Sequence, residues 1–170
     1  AQTLNATTTN NMTGATSAMT DTLVDIQNVN TGAGNDTIWG SSTKNMIDSG
    51  AGNDTIFVNA GNDTINAGSG ADIIYGGTDV EVINAQDGND SIVASAGADE
   101  IDGGNNIDLV DYSSSSTGIT LTLLNDGATV SVSHNIGGVS SDSLTNIEGI
   151  KGSTNASNNL VGNNQNNTLI

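Results

Sequence analysis

Aliphatic side chains recur along this chain at a fixed interval of nine. Ile38, Ile47, Ile56, Ile65, Ile74, Ile83, Ile92, Ile101 and Val110 follow one another without a break. Two residues before each stands a polar marker: Asp36, Asn45, Asp54, Asp63, Asp72, Glu81, Asp90, Asp99 and Asp108. Two residues before each marker the row reads Gly34, Thr43, Gly52, Gly61, Gly70, Asp79, Gly88, Gly97 and Asn106. Nine is a poor helical period, and clusters of Gly, Asn and Asp stop helices. The pattern predicts a strand of three or four residues and a tight glycine turn, repeated. Strand side chains alternate, so the aliphatic residue points inward and its two neighbours outward. Such a strand is too short to fold alone. Stacking turn upon turn gives an all-β parallel coil with a narrow aliphatic core.

Charge adds a difficulty to this picture. The formal net charge is −17, with Lys44 and Lys151 set against 19 acids. Such an acidic chain offers no basic patch to meet phosphates, so nucleic acid is not an expected partner. High negative charge with 2% aromatics would by itself indicate disorder; the strict spacing argues otherwise. There is no cysteine, which removes disulfides and thiolate metal sites. No apolar run reaches the length of a membrane span.

The repeat resembles the GGxGxDxUx nonapeptide of the repeats-in-toxin family. Gly32-Ala33-Gly34-Asn35-Asp36-Thr37-Ile38-Trp39 and Gly50-Ala51-Gly52-Asn53-Asp54-Thr55-Ile56-Phe57 are close matches, followed by Ala60–Ile65 and Gly68–Ile74. The resemblance implies a right-handed parallel β-roll of eighteen residues and two short strands per turn, with several calcium ions between turns. Parallel strands lie about 4.8 Å apart, so a bare roll stacks like charges. Calcium takes six to eight oxygens at about 2.3–2.6 Å and turns that repulsion into attraction. Glycine turns expose the backbone carbonyls that complete its shell.

Eighteen-residue turns sort the markers onto two sides. Asp36, Asp54, Asp72, Asp90 and Asp108 share one side; Asn45, Asp63, Glu81 and Asp99 share the other. The family's ligand pattern implies up to four calcium sites on the all-aspartate side. Carbonyls of Gly32, Gly34, Ser49 and Ala51 would join Asp36 and Asp54. Those of Gly50, Gly52, Ala67 and Ser69 would join Asp54 and Asp72. Gly68, Gly70, Ala85 and Asp87 would serve Asp72 and Asp90, and Gln86, Gly88, Gly103 and Asn105 would serve Asp90 and Asp108. The other side is interrupted around Asn45 and Glu81 and is expected to bind weakly, with Asp63, Asn59 and Gly61 as its best turn and Asp99 beyond it. Lys44 is placed to stand in partly for an ion.

Outward residues Trp39, Phe57 and Tyr75 form a stripe on the all-aspartate side, with Asp111 and Tyr112 ending the row. It reads either as packing within the ladder or as a contact surface. The nine-residue period stops after Asp108. Ile119, Leu121 and Leu123 alternate with polar residues, Asn125-Asp126-Gly127 signals a turn, and Val130 and Val132 alternate again. These features predict a hairpin that turns away from the roll or caps it. Asp142–Lys151 repeats the pattern of Asp21–Val29. The expected organisation is therefore a partial flanking segment (1–31) copying part of 124–152, a calcium-binding roll (32–112), a hairpin and capping segment (113–152), and the start of an Asn-rich roll (153–170).

Either the chain comes from a tandem array, where its partners are neighbouring modules, or copies self-associate head to tail. No nucleophile–base pair stands out, and His134 reads as an exposed strand residue rather than a catalytic base. The favoured reading is a non-enzymatic structural protein: a matrix, adhesin, surface-layer or fibre component. The alternative is the accessory roll of a secreted enzyme or toxin. The resemblance implies a secreted or bacterial cell-surface location.

Overall fold

The computed structural model describes residues 10–11, 27–125 and 127–170. Seventeen strands and no helix are found among them. In chain order they are β1 (Asn10–Asn11), β2 (Asn28–Asn30), β3 (Thr37–Trp39), β4 (Met46–Asp48), β5 (Thr55–Phe57), β6 (Thr64–Ser69), β7 (Ile73–Tyr75), β8 (Val82–Asp87) and β9 (Ser91–Val93). There follow β10 (Glu100–Asp102), β11 (Leu109–Asp111), β12 (Thr120–Thr122), β13 (Val130–Asn135), β14 (Val139–Thr145), β15 (Gly149–Lys151), β16 (Asn159–Val161) and β17 (Thr168–Leu169).

Successive strands fall alternately into two sheets, because one nonapeptide spans only half a turn. From β2 to β11 the even-numbered strands lie in one wall, β1-β2-β4-β6-β8-β10-β14-β13, and the odd-numbered strands in the other, β17-β15-β11-β9-β7-β5-β3, while β12 and β16 form a separate two-stranded sheet. Pairing within the roll is parallel and steps by eighteen: Ile38 faces Ile56, Ile56 faces Ile74, and Ile47 faces Ile65. The aliphatic row thus becomes two facing ladders. Ile47, Ile65, Ile83 and Ile101 stack from one wall and Ile38, Ile56, Ile74, Ile92 and Val110 from the other, all buried. Val29 already stands beneath Ile47 in this ladder. Ala67 and Ala85, inward again two residues after their isoleucines, are fully buried and keep the corners narrow.

The coil does not end at Asp108. Residues after β11 leave it and return, and Ser143–Thr145 of β14 then pair in parallel with β10 while β15 pairs with β11. The period resumes after an interruption because Leu144 and Ile150 supply the next two core residues, both buried.

The hairpin also differs from expectation. Thr120–Thr122 do not pair with β13; they pair in parallel with β16. The antiparallel partner of β13 is β14, from Val130 opposite Leu144 to Asn135 opposite Val139. Gly137 and Gly138 at its tip hold φ of 68° and 152°, which suits a tight reversal better than most residues could. Gly127 is instead tied to the coil, its N–H donating to Asn146 Oδ1 at 2.6 Å. Asp126 and the Asp21–Ile26 part of the duplicated segment lie outside the described residues.

The aromatic row is a stack. Trp39 and Phe57 lie with centroids 5.5 Å apart and planes at 8°, and Phe57 and Tyr75 at 4.7 Å and 6°. Phe57 is covered on both faces by its neighbours, while Trp39 and Tyr75 at the two ends of the stack stay exposed. Tyr112 does not extend this row. It is fully buried, because its hydroxyl finds a buried carboxylate to bond.

Candidate metal centre

Each aspartate marker closes its turn onto the turn before it. The backbone N–H of Asp36 donates to Asp54 Oδ1 at 2.7 Å, that of Asp54 to Asp72 Oδ1 at 2.7 Å, that of Asp72 to Asp90 Oδ1 at 2.8 Å and that of Asp90 to Asp108 Oδ1 at 2.8 Å. Asp54, Asp72, Asp90 and Asp108 each spend one carboxylate oxygen in this way. Oδ2 of Asp36, Asp54, Asp72, Asp90 and Asp108 is buried without a hydrogen-bond partner. Native interiors rarely leave such atoms unsatisfied. A continuous file of unpaired carboxylate oxygens suits a hard cation.

The electrostatics agree. Burial pushes the Asp72 and Asp90 carboxyls up to about 6 and that of Asp108 to about 8; Asp54 is also raised. Neighbouring markers add to the effect: Asp90 and Asp54 act on Asp72, and Asp90, Glu148 and Asp102 on Asp108. These shifts express the cost of holding bare carboxylates one above another.

The turns have the backbone shape that such a site needs. Gly32, Gly50 and Gly68 hold φ near 96°, 94° and 101°, and Gly34, Gly52 and Gly70 near 130°, 134° and 130°. Where the glycine row is broken, Gln86 and Asn106 take up positive φ regardless, at 79° and 86°. A Cβ on Gly52 would stand 2.1 Å from the Gly34 carbonyl oxygen, and one on Gly70 2.0 Å from that of Gly52.

The other expected carbonyls also line these turns. Gly32 O accepts the Ala51 N–H and Ala51 O the Gly34 N–H; Gly50 O accepts the Ser69 N–H and Ser69 O the Gly52 N–H. Asp87 O accepts the Gly70 N–H, Gln86 O the Asn105 N–H and Asn105 O the Gly88 N–H. Ser49 O takes the Thr31 hydroxyl at 2.8 Å and Ala67 O the Ser49 hydroxyl at 2.7 Å. A carbonyl has a second lone pair, so these bonds do not consume its capacity. Among the described residues no three His, Cys, Asp or Glu side chains are placed to hold a metal ion by themselves. The file of turns instead presents one carboxylate per turn among backbone oxygens.

The second side is mixed. Asp63 keeps the aspartate arrangement, with Oδ1 accepting the Asn45 N–H at 2.6 Å and Oδ2 unpartnered. Burial raises its carboxyl, Asp79 adds to this, and Lys44 acts in the opposite direction. Glu81 leaves Oε1 unpartnered and is pushed to about 8 by burial and by Asp99. Asp99 Oδ1 accepts the Glu81 N–H at 3.0 Å and its Oδ2 accepts the Ser95 hydroxyl at 3.4 Å. Asn45 folds back on its own turn, accepting the Ser41 N–H at 2.7 Å.

Two marker equivalents, Asp142 and Glu148, fall outside the nine-residue count, and two more, Asn158 and Asn167, stand nine apart in the expected Asn-rich roll. Asp142 accepts the Asp99 N–H at 2.9 Å and Glu148 that of Asp108 at 3.0 Å. Asn158 accepts the Ile119 N–H at 2.9 Å, and Asn167 closes its own turn on the Asn163 N–H at 2.7 Å. The signal that finds them is the aliphatic residue two positions on: Leu144, Ile150, Leu160 and Leu169.

His134 is not an exposed strand residue. It is 1% exposed, with Nε2 3.1 Å from Asp142 Oδ1. Burial works against its imidazolium, but the bond to Asp142 and the charges of Asp142 and Asp99 prevail and hold the ring above its ordinary value.

The family model of the RTX calcium-binding nonapeptide repeat (4 copies) matches residues 26–56, 48–80 and 75–110, together half of the chain. No curated protein matches it.

Proposed function

The chain belongs to the RTX calcium-binding nonapeptide-repeat family, and we propose that it is an extracellular structural element that folds and stiffens on binding calcium. Calcium binding follows from the family; the structural role is the reading its geometry supports best. The observation that carries it is the file of buried, unpartnered carboxylate oxygens running along one side of the coil. Without a cation that file is a line of repulsion, so the same ions that satisfy it hold successive turns together.

The ligands we assign are those of the family pattern. Asp36, Asp54, Asp72, Asp90 and Asp108 bound four sites, completed by carbonyls of Gly32, Gly34, Ser49, Ala51, Gly50, Gly52, Ala67, Ser69, Gly68, Gly70, Ala85, Asp87, Gln86, Gly88, Gly103 and Asn105. Asp63 with Asn59 and Gly61, and Asp99 beyond it, form the weaker side. Extracellular calcium modules have dissociation constants of about 10⁻⁴–10⁻³ M, a range that suits the outside of a cell. At 100-fold excess over its dissociation constant each site stabilises the fold by about 2.7 kcal/mol. Several such sites rival the roughly 5–15 kcal/mol net stability of a typical domain.

A coil of stacked turns has open ends, where a second copy or a neighbouring module can continue the sheets. We assign head-to-tail association to these ends. Electron microscopy of the purified chain in calcium and in EGTA tests it. Calcium-dependent filaments are expected; monodisperse rods would overturn self-assembly and leave a module of a longer protein.

A further inference from the structure

The interruption between Tyr112 and Asp142 divides the two sides of the coil chemically. We propose that Asp108 and Glu148 form a further calcium site across it, while the matching rung on the other side, between Asp99 and Asp142, is closed by Tyr112 and His134 and takes no metal. This inference rests on the calcium-ladder reading above and extends it to residues outside any nonapeptide.

The Asp108–Glu148 rung repeats the geometry of the rungs below it. The Asp108 N–H donates to Glu148 Oε2 at 3.0 Å, as the Asp90 N–H donates to Asp108 Oδ1 at 2.8 Å. The strands that follow remain in register, Leu109 beside Gly149 and Val110 beside Ile150. Asp108 is fully buried and its Oδ2 has no partner. Gly103 occupies the place held by Ala67 and Ala85 in earlier turns, five residues before the marker. A Cβ there would lie 2.6 Å from Asp108 Oδ2 and 2.3 Å from the Asn146 carbonyl oxygen. The glycine therefore lets a carbonyl of the following turn approach the unpaired carboxylate oxygen. Asp90, Glu148 and Asp102 all act on this carboxyl, while Lys151 is held by Asp111 at 2.8 Å. A polar cleft of about 320 Å³, lined by Gly104, Asn146, Glu148 and Gln165 among others, lies on the Glu148 side of the rung. The donors are all oxygens around a concentrated negative charge, which is calcium chemistry.

The opposite rung is satisfied by side chains. Asp142 Oδ1 accepts the Asp99 N–H at 2.9 Å and lies 3.1 Å from His134 Nε2. Its Oδ2 accepts the Tyr112 hydroxyl at 2.8 Å. Asp142 and Tyr112 are fully buried and His134 is 1% exposed; the two rings pack at 5.5 Å. Both carboxylate oxygens of Asp142 are engaged, whereas each lower aspartate on the other side keeps one free.

Native mass spectrometry of the full chain in saturating calcium counts the ions. Glu148→Gln keeps an acceptor for the Asp108 N–H and should bind one ion fewer than wild type, with an unchanged circular dichroism spectrum. Asp142→Asn should bind the wild-type number. An unchanged count for Glu148→Gln, or a lost ion for Asp142→Asn, would overturn the proposal. Should a variant fail to fold, anomalous diffraction from wild-type crystals grown in calcium decides. A calcium peak is expected between Asp108 and Glu148 and none between Asp99 and Asp142. Peaks on the Asp36–Asp108 rungs alone would overturn this inference and leave the ladder standing; no peak anywhere would overturn both.

Discussion

Replacing Ile74 with Ala touches no proposed ligand, yet it should weaken the response to calcium. Ile74 is fully buried between Ile56 and Ile92 in its ladder. Truncating a buried isoleucine to alanine costs about 2–5 kcal/mol, depending on how far the site collapses. If folding and binding are one transition, that cost must be met by a higher calcium concentration. The logarithm of the midpoint shifts by the cost divided by RT and by the number of ions taken up. With about four ions the midpoint should rise about two- to eightfold. A calcium titration followed by far-ultraviolet circular dichroism, at constant ionic strength, measures it, and native mass spectrometry should find the same ion count at saturation. Ile73→Ala provides the control. Ile73 points outward and is 40% exposed, so its loss should cost no more than about 0.5 kcal/mol and move the midpoint by about 1.2-fold. A midpoint for Ile74→Ala equal to that of wild type would refute the coupling of core and ladder.

Three further outcomes follow from particular contacts. Gly68→Ala would place a Cβ 1.8 Å from the Gly50 carbonyl oxygen and should raise the calcium midpoint more than Ile74→Ala or prevent folding. Gly127→Ala, also at positive φ but with nothing within 4 Å, should cost only about 1–2 kcal/mol of backbone strain; equal effects in the same titration would contradict the steric account. Asp72→Asn keeps the acceptor for the Asp54 N–H while removing one charge from the file. It should lower the ion count by native mass spectrometry and raise residual β content in EGTA; an unchanged count would remove Asp72 from the ligand set. In EGTA the carboxyls of Asp72, Asp90, Asp108 and Glu81 lie above their unfolded values, at about 6, 6, 8 and 8. The folded chain then binds more protons than the unfolded one, so its stability is greatest below about pH 4 and falls as pH rises through 6 and 8. Circular dichroism in EGTA should show β structure gained on acidification from pH 8 to 4, whereas loss of β structure over that range would contradict the reading. In calcium the direction reverses, because protons compete for the ligands.

The regular half of this fold is legible in the sequence because a single rule governs it. An aliphatic residue two positions after a polar marker specifies strand, inward face and turn together, and the pairing register follows from two nonapeptides per turn. The rest was hidden where the spacing changes while the physical requirement persists. Asp142 and Glu148 lie six residues apart rather than nine, so a count by nines passes over both, although each precedes a core residue by two. The duplicated segment held the same information, since it aligns Glu148 with Gln27 and Ile150 with Val29. Turn residues stand both at Asn125-Asp126-Gly127 and at Gly137-Gly138, and local propensity does not reveal which strand must join β10. The burial of His134 and Tyr112 is not legible locally, because the partner that makes it tolerable, Asp142, lies 8 and 30 residues away.

Hydrogen exchange measured by mass spectrometry, in calcium and in EGTA at neutral pH, tests the central claim most directly. The account predicts that the amides of residues 36–111 are protected in calcium and exchange at unfolded-chain rates in EGTA, because the aspartate file cannot be held together without cations. Equal protection of that segment under both conditions would contradict it.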